Sequence, residues 1–412
     1  MTTLKVTTIL NSQNEDYIVK EKNGLYLIKY NKSSLLNNAN TLGLYRSVIT
    51  DGENILSFAP PKSVKYDTFT KTNDFENCNI TEFVDGTMIN VFYNTKNMID
   101  GEFEPKWEIA TRSNIGGRCR FNTTKTFREM FFEACNFEEL IKGLNKKCSY
   151  SFVLQHPENR IVHKIYKPQL YLTNIYEFNK CTVSEKNIKE FNFNEIKCIQ
   201  DISEYNITNW ESLKAICSGG TNFSLKGFVI YNNNVRTKIR NIEYEKIKIL
   251  RGNSPKLQFH FLELYKNQNV FNYLSYFPEE KKKFMKYQKD FYKWTEKFYN
   301  LYVKCFIEKI VSLKSCPFEF KPLLFELQKH FIADLYPFRK KVNFTYIKEY
   351  VKTIPTAKIM FSINYKHRAP RQSKTAKTAI QATPAIQATP AIQATPAIQA
   401  TPAIQATPAL NE

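Results

Sequence analysis

The residues with chemical capacity in this chain are one Asp-Gly pair and a scattered set of cations. Asp85-Gly86 precedes Thr87-Met88-Ile89-Asn90-Val91-Phe92-Tyr93, and the whole segment from Glu82 reads as a turn opening onto a β-strand. The cations are 59 Lys and Arg residues against 39 Asp and Glu. Such residues neutralise phosphates, and a desolvated lysine among other cations loses its proton more readily, the condition for an amine nucleophile. Other chemistries lack their residues. There is no Gly-x-Ser-x-Gly elbow and no Gly-x-x-x-x-Gly-Lys-Ser/Thr loop. The nine cysteines include no Cys-x-x-Cys pair, which argues for reduced thiols and against structural zinc. His156 and His163 flank Asn159-Arg160 and read as structural, and no residue set is assigned to a metal.

The elements that must position these groups fall into three zones. Residues 1–252 are rich in β-branched and aromatic residues broken by Asn, Gly and Asp, as in Leu25-Tyr26-Leu27-Ile28-Lys29-Tyr30 and Phe228-Val229-Ile230-Tyr231. They predict antiparallel sheet with helical interruptions, one of them running from Thr126 through Ile141, and hence an α+β class. Residues 253–365 carry few turn signals, and Tyr287, Phe291, Trp294, Phe298, Leu301 and Phe306 recur at helical spacing, predicting an all-helical C-terminal domain. Lys281, Lys282, Lys283, Lys286, Lys289, Lys293 and Lys297 share that segment and read as a solvated face. Residues 366–412 form a basic linker followed by five copies of Ala-Ile-Gln-Ala-Thr-Pro, from Ala379 to Pro408, predicted to be a disordered tail. The net charge of +20 points to a polyanionic partner, nucleic acid before membrane. No long apolar run predicts a transmembrane helix and the N-terminus lacks a signal core, so the chain is expected in the cytosol.

Taken in order, these segments resemble the phage-type RNA ligase family of covalent nucleotidyltransferases, over about residues 40 to 252. Tyr45-Arg46-Ser47-Val48-Ile49 and Leu56-Ser57-Phe58-Ala59-Pro60-Pro61-Lys62 look like its upstream element. Phe83-Val84-Asp85-Gly86 stands where the Lys-x-Asp-Gly motif belongs, and Trp107 through Gly117 resembles the strand and turn that follow. Tyr150-Ser151-Phe152-Val153-Leu154-Gln155-His156-Pro157-Glu158-Asn159-Arg160-Ile161-Val162 is the closest match. Leu225-Lys226-Gly227-Phe228-Val229 looks like the Glu-Gly strand, and Thr237-Lys238-Ile239-Arg240-Asn241 like the last basic strand. The whole is also similar to the RNA ligases of large cytoplasmic DNA viruses such as African swine fever virus.

The resemblance implies a ligase-type nucleotidyltransferase domain joining nucleic-acid ends through an adenylate. ATP and Mg²⁺ are the implied cofactors, with RNA ahead of DNA as partner. It places Arg46, Lys62, Asp85, Gly86, Arg112, Lys238 and Arg240 around the nucleotide. It also implies host cytoplasm as the location, with packaging in the virion. Three positions depart from the pattern: Phe83 replaces the nucleophilic lysine, Val153 a ribose-binding glutamate, and Lys226 a glutamate that supports the metal. A misplaced unit charge at 4 Å and a dielectric near 20 is worth roughly 4 kcal/mol against Mg²⁺. A lysine from another segment can supply the amine: Lys62, Lys65 or Lys226, of which Lys226, beside Lys238 and Arg240, is the favoured catalytic candidate, with Lys238 next to it. Metal would fall to Asp85, Glu82 or Glu108, or enter with ATP. Two alternatives stand beside ligation: a ligase-like protein that binds RNA or DNA ends without chemistry, and a basic virion protein associated with the genome.

Overall fold

The computed structural model describes residues 1–36, 39–99, 102–121, 123–191, 196–199, 202–220, 222–232 and 235–367. The repeat tail lies outside the described residues. Residues 1–365 make one compact unit.

Three mainly antiparallel sheets and a two-stranded one, Met98–Ile99 with Glu102–Phe103, build the first two thirds of the described residues. The largest runs in the order Thr2–Thr3, Thr182–Lys186, Gln169–Asn179, Cys148–Gln155, Thr87–Asn94, Lys106–Thr111 and Asn114–Ile115, with Lys197–Cys198 joining Gln169–Asn179 in parallel. The Thr87–Asn94 strand is buried on both faces, because successive side chains point to opposite sides and each side has its own core. Ile89 and Val91 pack with Met130, Phe131, Phe152 and Leu154. Phe92 faces the other way, onto Leu25, Leu27 and Ile49. Those three come from a four-stranded sheet, Tyr17–Lys22, Leu25–Tyr30, Val48–Thr50 and Ile55–Phe58. The third sheet has the order Val235–Arg240, Gly227–Asn232, Asn79–Glu82. Its apolar face closes over Phe69 and Leu213 from the helices Tyr66–Thr70 and Trp210–Cys217. Phe92 and Trp107 are core residues.

The helical stretch expected over 126–141 is two helices, Phe127–Ala134 and Phe137–Lys142. Thr126 starts the first with a capping box completed by Glu129. Asn136 then accepts from the Glu139 amide and starts a second helix, which breaks the first by local competition for the backbone.

From Ile242 to His367 the described residues are mainly helical. The long helix Lys281–Tyr302 buries Phe284, Phe291, Trp294 and Phe298 on one side and leaves Lys281, Lys282, Lys283, Lys286, Lys289 and Lys293 exposed on the other. Stacked rings tie its inner face to Phe320 at centroid distances of 6.0 and 6.3 Å from Trp294 and Phe298. This core continues back to Tyr244 and Ile247 on the Ile242–Arg251 helix and to Val162, so the helices are anchored beside the sheets' Asp-Gly turn. Among the described residues no helix is long and apolar enough to cross a membrane.

Candidate nucleotide site

Asp85 lies in the connection between Asn79–Glu82 and Thr87–Asn94, and Gly86 decides where it points. Gly86 has φ +151°, and a Cβ there would stand 2.5 Å from the Leu154 carbonyl oxygen and 2.6 Å from Val153 Cγ1. Only glycine lets the turn press this closely on the neighbouring strand. The Asp85 side chain is thereby driven inward and is 4 % exposed. Tyr244 donates its hydroxyl to Asp85 Oδ1 at 2.6 Å, and the Val162 and His163 amides donate to Oδ2 at 3.1 and 3.3 Å. Lys226 Nζ is 3.6 Å from Oδ1 and donates to the Val84 carbonyl at 3.1 Å. Burial by itself raises the Asp85 carboxyl, but Lys226, the Tyr244 hydroxyl and the Val162 amide together hold it below the usual carboxylate range.

Phe83 forms the other half of the site. Its amide donates to the Gly227 carbonyl at 2.8 Å, which extends the pairing of Asn79–Glu82 with Gly227–Asn232. Gly227, at φ +130°, would put a Cβ 2.1 Å from the Ile239 oxygen, so it too must be glycine for the basic strand to lie so near. The consequence is that two lysines from adjacent strands reach one ring. Lys226 Nζ stands 4.0 Å and Lys238 Nζ 5.5 Å from the Phe83 centroid, both within cation–π range.

Cations accumulate around this ring with little to neutralise them. Arg46 donates to the Pro60 carbonyl and Arg236 to the Pro61 carbonyl, each at 3.2 Å. Arg112 donates to the Arg46 carbonyl at 3.4 Å and lies 5.1 Å over the Tyr30 ring. Lys62 reaches the Ser63 carbonyl at 3.5 Å. Among the described residues, Arg240 alone of these outer cations has a carboxylate, Glu245 at 2.9 Å. The Nε atoms of Arg236 and Arg240 are buried without a hydrogen-bond partner. Burial and the neighbouring Arg240, Arg236, Arg46 and Lys62 push the Lys238 amine down to about 7. Burial pushes Lys226 down to about 8 against the opposing pull of Asp85, and Arg46 is lowered to about 10 by burial, Arg236 and Arg112. Lys62 is lowered by burial, then by Arg46, Arg240 and Arg112. A cavity of about 160 Å³ opens between the sheets, lined by Arg46, Phe83, Val153, Lys226, Tyr231 and Arg236 among others.

The structure therefore brings Asp85 and Lys226 into contact, sets Lys238 beside Lys226 across Phe83, and groups Arg46, Lys62, Arg112 and Arg240 within electrostatic range. Lys65 is exposed ahead of the helix Tyr66–Thr70; of the expected site residues Arg46, Gly86 and Lys226 line the cavity, and Lys62, Lys65, Asp85, Arg112, Lys238 and Arg240 do not. Glu108 is ion-paired with Arg128 and does not line the cavity. Glu82 lines the cavity, with its carboxyl raised by burial. Among the described residues no group of three or more His, Cys, Asp or Glu could hold a metal ion, so the side chains do not form a cage for Mg²⁺. The ring of cations does fit the phosphates of a nucleotide. His156 is buried and bonded to Glu133 at 2.9 Å and to the Glu158 amide at 3.1 Å, a structural role.

Sequence reasoning missed Arg236 and Tyr244. Arg236 was findable: it precedes Lys238 by two residues on the same strand and so shares its face. Tyr244 carries no local signal, because its hydroxyl meets Asp85 only through the packing of a helix 159 residues further along the chain.

No protein-family model matches the chain. It is 25% identical over 279 residues to the immediate-early protein ICP-46 homolog of Invertebrate iridescent virus 6, a match that covers 61% of this chain and 58% of that protein. The chain thus spans less than two thirds of that relative's length. A solved structure from Aquifex aeolicus, assigned as an ATP-dependent DNA ligase, superposes with a TM-score of 0.36 at 13% identity, covering 87% of this chain and 76% of that one.

Proposed function

We propose that the cavity lined by Phe83 and Lys226, beside the buried Asp85, is the nucleotide site of a viral RNA-ligase-type nucleotidyltransferase that takes ATP and acts on nucleic-acid ends, RNA ahead of DNA. The observation that carries the reading is the position of the Lys226 amine. It enters from the neighbouring strand and sits 4.0 Å over the ring of Phe83, the residue that replaces the family's lysine. In this reading the amine that left position 83 is supplied from position 226. Neutral Lys226 attacks the α-phosphorus of ATP; a P–N bond forms, the bond to the bridging oxygen breaks, pyrophosphate leaves, and the amine proton passes to solvent. Arg46, Lys62, Lys238, Arg236 and Arg240 are the groups that neutralise the phosphates. Mg²⁺ enters with the nucleotide. Residues 1–252 carry the nucleotidyltransferase and 253–365 a helical domain, with the host cytoplasm and its viral factory as the site of action.

A second reading is favoured by the hydrogen bond and ion pair that tie Lys226 to Val84 and Asp85. There the amine is a structural cation, and the site binds a nucleotide or nucleic-acid end without reacting. Incubation of the full chain with α-labelled ATP and Mg²⁺ separates the two. Ligase-type chemistry gives an acid-labile adduct that Lys226→Ala abolishes while ATP binding persists. Binding with no adduct leaves the second reading. Absence of both adduct and ATP binding defeats the nucleotide site altogether.

A further inference from the structure

A second cavity, wider than the one beside Lys226, lies elsewhere. A cleft of about 740 Å³ opens between Arg120, Phe121, Thr123 and the turn Pro157–Asn159 on one side, and the helices carrying Arg251, Tyr273 and Tyr287 on the other. It is far larger than an inorganic anion needs and falls in the range of about 300–1,000 Å³ typical of ligand sites.

Its charges are unevenly partnered. Arg160 is fully used: it donates to Glu279 at 2.6 Å, the Tyr276 carbonyl at 2.8 Å and the Val162 carbonyl at 3.0 Å. Lys283 pairs with Glu280 at 3.1 Å, and Glu158 pairs with Lys125 at 3.0 Å. Each carboxylate lining the cleft thus has a cation. Arg120 and Arg251 have no carboxylate within ion-pair distance among the described residues, though both line the cleft. Arg251 is half-buried in the last turn of the Ile242–Arg251 helix, its guanidinium 5.9 Å from the Phe121 centroid. Burial lowers its pKa most, Tyr273, Asp85 and Tyr244 pull it partly back up, and Arg160 lowers it again. The carbonyls at its helix end supply partial negative charge, not a counter-ion. A half-buried cation left in that state is stabilised by an incoming anion.

The rings of Phe121 and Tyr287 are half-buried in the same lining, faces on which bases stack. The cleft also connects to the Asp85 cavity through one rigid element. The Ile242–Arg251 helix carries Tyr244 onto Asp85 and Arg251 into the cleft, about 10 Å apart at 1.5 Å per residue.

We propose that this cleft binds single-stranded nucleic acid, with Arg120 and Arg251 on its phosphates and Phe121 and Tyr287 against its bases. The direction of the strand, with one end toward Asp85 and Lys226, rests on the ligase-type reading of the cavity; binding in the cleft does not.

The test is fluorescence anisotropy of the full chain with a short labelled single-stranded RNA, and with DNA of the same sequence, across a salt series. Arg120→Gln combined with Arg251→Gln should weaken binding at least tenfold. The slope of log affinity against log salt should become shallower by about 0.7 for each phosphate that is no longer neutralised. Phe121→Ala with Tyr287→Ala should weaken binding about tenfold with the salt slope unchanged. ATP titration of the same variants should match the parent. Arg120→Gln alone, at an exposed position, guards against misfolding: it should lower affinity without moving Tm. Oligonucleotide affinity that is equal in the parent and the arginine variants, or no binding by the parent, overturns the proposal. Lost ATP binding with the cleft intact would instead count against the cavity reading.

Discussion

At the scale of single residues, the site is organised first by the ring of Phe83. Phenylalanine at 83 cannot hold a nucleotide covalently, but its ring accepts two ammonium groups that would otherwise repel each other across the strands. The buried Asp85–Lys226 pair is the second organiser. Removing one member of such a pair leaves an uncompensated charge and costs about 3–5 kcal/mol, whereas replacing both is far milder. Asp85→Asn is therefore expected to destabilise the chain by that amount in denaturant unfolding, and adding Lys226→Met should recover most of the loss. Additive losses would show that the two side chains do not interact. Lys238 makes a pH prediction. Its folded pKa of about 7 lies below the ordinary lysine value, so between about 7 and 10 the unfolded chain binds more protons and this residue's contribution to stability rises with pH. Lys238→Met should raise Tm at pH 6–7 by about 2–4 °C and flatten that rise. An anion favours the charged form, so ATP affinity should fall from pH 6 to pH 9 in the parent and much less in the variant.

At the scale of elements, two glycines set the strand geometry that brings the lysines to one ring. A methyl at Gly86 or Gly227 meets backbone oxygens at 2.5 and 2.1 Å, and backbone cannot rotate away as a side chain can. Gly86→Ala and Gly227→Ala should each lower stability by more than about 3 kcal/mol and abolish nucleotide binding together with it, read by thermal unfolding and ATP titration. Gly219→Ala, with nothing within 4 Å of its Cβ but φ of +144°, should show only the smaller strain of its backbone. A Gly86 variant as stable as the parent would contradict the close approach to Leu154.

At the scale of the molecule, charge and packing are divided between different surfaces. The core of the helical region is a stack of aromatic rings, and the lysines of the Lys281–Tyr302 helix are turned outward except Lys297, whose amine lies 5.0 Å over the Phe320 ring. That face and the cationic cavity are separate sources of the net +20. Nucleic-acid affinity from the exposed face should be weak and strongly screened by salt, while the half-buried cations of the cavity are screened less. Replacing Lys282, Lys286 and Lys289 by Gln should therefore reduce the salt slope of oligonucleotide binding and leave ATP affinity unchanged.

Much of this is legible in the sequence because it depends on local periodicity. Alternation marks the strands around Leu25, Ile89 and Phe228, helical spacing marks the buried face of Phe291, Trp294 and Phe298, and the Asp-Gly turn marks the pocket. Apolar spacing persists through Asn136, so periodicity alone predicts one helix over 126–141; the Asn136 capping bond interrupts it. What the tertiary structure decided is which groups meet. Asp85 takes its partners from Val162, His163, Lys226 and Tyr244, residues that are 77 to 159 positions away in the chain. Sequence determines a residue's chemical type and the face it presents. Its pKa and its partner depend on burial and long-range packing, which only the folded chain supplies.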